Sequence, residues 1–143
     1  MELDENNVPE EQEGDYVEIY SKMAIWGFSI FVSPLFGGIL LMLNLKAAGY
    51  KKAVNTVLIF TVCYVIASEA IIVFLTKVYK LNLYVLGAVS IGLTLVGAFT
   101  IAEYFFNKYF PENDYYPKSI AKPLLIAAAI LIPYMIIASR IKM

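Results

Sequence analysis

Few side chains in this chain are equipped for chemistry, and Glu69 is foremost among them. It stands in the run I-A-S-E-A-I-I, inside an apolar stretch, about six residues or roughly 9 Å from that stretch's end by helical rise. A carboxylate in hydrocarbon is costly, so Glu69 is expected either to be neutral or to be paired. Arg140, at the end of the last apolar stretch, has the reach to be its ion partner, and the hydroxyls of Ser68 and Tyr64 are neutral alternatives. Such an acid suits a proton or cation site, exchanging its proton against a substrate in a small transporter or channel. The plainer reading is a carboxylic acid that ties two helices together.

The groups that other chemistries need are missing. There is no His and one Cys, Cys63, which removes an intrachain disulfide, a Cys/His zinc site, a c-type haem and a dithiol redox pair. No GxSxG, HExxH, P-loop or GxGxxG pattern occurs. The chain is therefore expected to be non-enzymatic, with no cofactor and no metal. Glu103 borders an aromatic segment, and a surface pair with Lys108 or Lys122 is its expected role.

The elements that must position Glu69 belong to lipid rather than water. Hydrophobic residues make up 60% of the 143, and charged ones 16%, which argues against an ordinary soluble domain. Eight of the twelve acids fall in the first eighteen positions, so the remainder is net basic, with lysines placed for headgroups and too sparse for nucleic acid. Residues 1–22 read as an acidic flexible tail without a secretory leader, and Tyr16, Tyr20 and Trp26 as interfacial anchors.

Four apolar stretches follow, about 23–45, 53–76, 81–102 and 123–139. Each is near the roughly 20 residues needed to cross a core of about 30 Å. The fold class expected is all-α, a polytopic membrane protein whose four transmembrane helices form a compact bundle over residues 23–143. Four crossings divide Lys and Arg five against six between the two faces, which leaves orientation open, with both termini inside as the simpler default. The segment from Glu103 to Lys122 is too aromatic for a water-exposed linker and reads as an interfacial belt or a lid on the bundle mouth.

Two small-residue stripes bear on packing. Ser29, Ser33 and Gly37 recur every fourth position, with Gly38 beside them, so one helical face lets another backbone approach closely. Pro34 should kink that helix, and the hydroxyls of Ser29 and Ser33 could satisfy the carbonyl it frees. Ser90, Thr94 and Ala98 form a second stripe able to receive the first. These faces exceed what so few helices bury among themselves, so a homo-oligomer or a larger membrane-protein partner is expected.

The segment Ser33 to Ala53, S-P-L-F-G-G followed by N-L-K-A-A-G-Y-K-K-A, resembles a motif of small bacterial multi-span membrane proteins: a G/S-P-L-x-G-G turn, then Asn, then a basic Gly-containing loop. The resemblance covers about a fifth of the chain and brings no catalytic or ligand residue with it. It implies a multi-pass protein of the bacterial inner membrane. The leading functional expectation is an accessory or structural membrane component working through helix contacts at Ser29, Ser33 and Gly37, with the Glu69 transporter or channel as its alternative.

Overall fold

The structure, a computed structural model, describes residues 17–111 and 115–141; the acidic tail to Tyr16, Glu112 and Asp114 lie outside the described residues. The chain is helical nearly throughout: α1 Lys22–Phe31, α2 Pro34–Ala47, α3 Lys51–Val78, α4 Leu83–Phe99, a π-helical turn Thr100–Phe105, α5 Phe106–Tyr109 and α6 Ala121–Ile141. Two short strands, β1 Glu18–Ile19 and β2 Tyr116–Pro117, pair in parallel. The expected all-α membrane class is what the structure shows. Three helices are long and apolar enough to cross a bilayer: Lys51–Val78, Leu83–Tyr109 and Ala121–Ile141.

The first apolar stretch departs from the expected single crossing, because it is two helices. At 10 and 14 residues, α1 and α2 reach only about 15 and 21 Å, about half to two thirds of a 30 Å core. Pro34 does more than kink. It takes the first position of a new helix, where its missing N–H is no loss, and it holds Ser33 in extended backbone (φ −176°, ψ 158°). Ser33 Oγ then accepts from the Phe36 N–H at 3.2 Å, so this hydroxyl caps α2 instead of serving a freed carbonyl.

Across that break the chain reverses. Phe28 stacks on Phe36 at 5.3 Å between ring centroids, and a methyl added to Gly37 would collide with the Ser29 hydroxyl. Farther from the tip, Asn44 Nδ2 donates to the Tyr20 carbonyl and the Tyr20 N–H donates to Asn44 Oδ1, both at 2.8 Å. Asn44 is 1% exposed, and its pair of bonds locks the open end of an antiparallel hairpin. We call that end the base and the turn at Val32–Ser33 the tip.

A re-entrant hairpin changes which segments share a membrane face. Gly49, at φ +84°, supplies the left-handed residue that ends α2, with Tyr50 N–H donating to Leu45 O and Gly49 N–H to Lys46 O. That loop therefore leaves α2 on the same face as Tyr20. The pairing of β1 with β2, the Lys118 N–H bond to Ile19 O at 2.8 Å and the Lys22–Glu103 ion pair all place the long loop there too. The four-crossing arrangement, with the tail and the Lys77 loop on one face, is corrected accordingly. β1 and the C-terminal end of α6 lie on opposite faces.

The core collects at the base. Ile25, Phe28, Leu40, Leu41, Leu45, Val57, Ile101 and Phe106 are buried together. Residues 17–22, expected to belong to the flexible tail, contribute Ile19 and Tyr20 to this core because β2 and Asn44 hold their backbone. The aromatic segment is absorbed as well: Phe105 packs on Phe60 at 4.9 Å, Phe106 on Phe110 at 5.3 Å, and Tyr50 on Tyr109 at 5.9 Å. It floors the hairpin base and continues helically to Tyr109, while Tyr104 and Tyr116 stay exposed.

Candidate functional site

A hairpin that stops halfway leaves the other half of its column of membrane unfilled. There the structure has a cavity of about 550 Å³, bounded by the hairpin tip, α3, α4 and α6. The tip contributes Ile30, Val32, Ser33 and Pro34; α3 contributes Tyr64, Val65, Ser68 and Glu69; α4 contributes Ser90, Leu93 and Thr94; α6 contributes Ile130, Leu131 and Tyr134. The volume is in the range of small-molecule sites.

Helical periodicity explains the α3 and α4 contributions. Tyr64 and Ser68 are one turn apart on α3 with Glu69 next to Ser68, and Ser90 and Thr94 are one turn apart on α4. Their depth follows from rise: Glu69 lies nine residues before Val78, about 14 Å from that end of α3. Tyr64 donates its hydroxyl to the Leu93 carbonyl, stitching α3 to α4 under the tip. Gly97 admits that arrangement, since a methyl there would meet Tyr64 at 2.6 Å and Pro34 at 3.0 Å.

Every polar side-chain atom lining the cavity is oxygen: the Glu69 carboxylate and the hydroxyls of Ser33, Tyr64, Ser68, Ser90, Thr94 and Tyr134. The backbone adds more oxygen. The carbonyls of Ser29, Ile30, Phe31 and Val32 accept no hydrogen bond among the described residues, because Ser33 N–H turns back to Phe28 O and Pro34 has none to give. In hydrocarbon such carbonyls need a partner, and of these four residues Ile30 and Val32 line the cavity, where water or a solute would supply one.

The site residues expected from sequence divide between this cavity and the hairpin. Glu69, Ser68 and Tyr64 come together, joined by Ser33, Pro34, Ser90 and Thr94 from the two stripes. Arg140 does not join them: it is exposed at the end of α6, and among the described residues Lys22–Glu103 is the one ion pair. Glu69 has no hydrogen-bond or ion-pair partner among the described residues, so the expected pairing is not formed. Ser29 and Gly37 face each other inside the hairpin, Gly38 lies against Thr61 so closely that an added methyl would come within 2.6 Å of its hydroxyl, and Ala98 is fully buried. The first stripe is thus used within the fold, between α1, α2 and α3, and the second does not receive it as one continuous face.

Tyr134 was the cavity residue that sequence reasoning missed; Pro133 beside it, inside α6, was the available signal, since a helix-interior proline frees a carbonyl. A buried Asn at the end of an apolar run, followed by a Gly and lysines, is the pattern of a helix end with its side chain free to bond elsewhere.

At the base, Glu103 takes a different partner from the Lys108 or Lys122 expected. The π-helical turn widens the helix and aims Glu103 at the hairpin, where Lys22 Nζ lies 2.6 Å from Oε2, Trp26 Nε1 donates to Oε1 at 3.0 Å, and Asn107 adds a bond at 3.2 Å. This cluster ties α1 to the end of α4 and holds the hairpin in place. Compared with family models, with curated proteins and with solved structures, the chain matches none of them.

Proposed function

We propose that this is a non-enzymatic transport protein, a small proton-coupled transporter or channel whose solute site is the half-membrane cavity at Glu69. The observation that carries the reading is a carboxylate without a protein partner among the described residues, set among hydroxyls about 14 Å inside a crossing helix. An ionisable group at that depth that serves only structure would be spent on a partner. The accessory reading rested on the face of Ser29, Ser33 and Gly37, and those residues are engaged inside the hairpin or at the cavity. The likeness of Ser33–Ala53 to small bacterial multi-span proteins supports a place in a bacterial inner membrane.

The test is proton flux in proteoliposomes clamped with valinomycin and read by an internal pH dye. The wild-type protein should carry flux above protein-free vesicles, and Glu69→Gln should abolish it. Flux unchanged by that substitution, or none in the wild type, overturns the reading.

A further inference from the structure

We infer that the cavity is a site for a monovalent cation, entered from the non-cytoplasmic face of the membrane. The inference deepens the transport reading and rests on it for the role of the cavity, though the chemistry of the lining and the direction of access are argued independently.

The occupant's charge follows from the lining. Lysine, arginine and amide donors are absent from it, so no side-chain N–H is offered to an anion, whereas a carboxylate, hydroxyl oxygens and the backbone of Ile30 and Val32, whose carbonyls accept no hydrogen bond among the described residues, offer oxygen. Hard cations take oxygen ligands of this kind. One carboxylate balances one positive charge; a divalent ion would keep an excess charge in a low-dielectric site, and the described residues hold no group of three acidic, His or Cys ligands. The occupant is therefore a monovalent cation, a metal ion or a small ammonium.

The side of access follows from the hairpin. Between the cavity and the base face lies the buried core, with Ile25, Leu41, Val57 and Ile101 closing the way. The opposite face, beyond Glu69, contributes no buried residue from α3 after Thr61, from α4 before Gly97 or from α6 after Ala127. The re-entrant turn also redistributes the cations of the sequence. Lys22, Lys46, Lys51, Lys52, Lys108, Lys118 and Lys122, seven in all, now share the base face, against the three of Lys77, Lys80 and Arg140 among the described residues. An excess of Lys and Arg in short segments beside the spans marks the cytoplasmic face. The base is cytoplasmic, and the cavity opens away from it.

Cysteine accessibility tests both parts. In the full chain with Cys63→Ser, Ser90→Cys and, separately, Tyr134→Cys are probed with a cationic and an anionic methanethiosulfonate of similar size, in right-side-out and inverted membrane vesicles. The expected result is modification from outside, at least about tenfold faster with the cationic reagent, as one unscreened charge a few ångströms away requires, and that ratio should fall towards one in Glu69→Gln. External sodium or rubidium should slow the cationic reagent. Equal rates, a faster anionic reagent, modification from the inverted side alone, or no modification at either position in protein that keeps the wild-type Trp26 emission would each overturn the inference. Charge-selective modification without proton flux would retain the cation site and remove the transport reading; proton flux with equal rates would do the reverse.

Discussion

The two halves of this protein across the membrane are built to opposite rules. In the base half, α1 and α2 fill the space between the crossing helices, and the buried residues of α3, α4, the π turn and α6 all lie there: Ala53, Val57 and Thr61; Gly97 and Ala98; Ile101, Ala102 and Phe105; Pro123 and Ala127. In the other half the same helices continue without the hairpin and border a cavity in which the Glu69 carboxylate and hydroxyls stand among apolar side chains. Burial is thus a matter of how far the hairpin reaches. A single device, the turn at Ser33–Pro34, makes one half a core and the other a site.

If that contrast is right, substitutions in the base half should cost stability and those around the cavity should not. The largest loss is expected for Gly37→Leu, because even a methyl there overlaps Ser29. Overpacking at so tight a contact should cost about 3 kcal/mol or more, read as a drop in the SDS midpoint of unfolding followed by Trp26 emission. Asn44→Leu comes next. It leaves the Tyr20 N–H and carbonyl without their bonds, worth about 2 kcal/mol in the same titration.

Ser29→Ala should move the other way. Ser29 Oγ is buried with no hydrogen-bond partner among the described residues, so its removal should stabilise the hairpin by about 1 kcal/mol. A loss of that size would mean the hydroxyl has a partner and that the base half is less dry than its packing implies. The smallest effect belongs to the cavity half: Gly92→Ala meets nothing within 4 Å. It should change the midpoint by less than about 1 kcal/mol, and in the direction of helix propensity. A large loss there would show that the far halves of α3, α4 and α6 are packed against something other than lipid.

Much of this was legible in the residues. Three crossing helices, the end of α2 at Gly49, the place of Glu69 inside α3 and its company of Ser68 and Tyr64 all follow from period and hydropathy. The hairpin was not, though its signal was present. Ser33–Pro34 has the form of a helix start as much as of a kink, and a window long enough to span a bilayer hides a reversal at its middle. The Arg140 pairing failed for a related reason. Rise along a helix gives depth, about 9 Å from the apolar stretch and about 14 Å from the full length of α3, but not azimuth, and Arg140 lies at the helix end outside the cavity lining. The partner of Glu103 was missed because Lys22 is 81 residues away in sequence and reaches it only once the hairpin folds back.

What the sequence determined alone is the solvent of each segment, because transfer from water to hydrocarbon is a property of the side chains themselves and adds along the chain. It also determined the two faces of each helix, through the 3.6-residue period. Direction was decided by tertiary structure. Hydropathy is the same for a helix that crosses and for one that returns, and the choice rests on contacts between distant residues: Gly37 against Ser29, and Asn44 closing on Tyr20 across 24 positions. From that choice come the shared face of the lysines, the closed base and the open cavity, none of which any single segment contains.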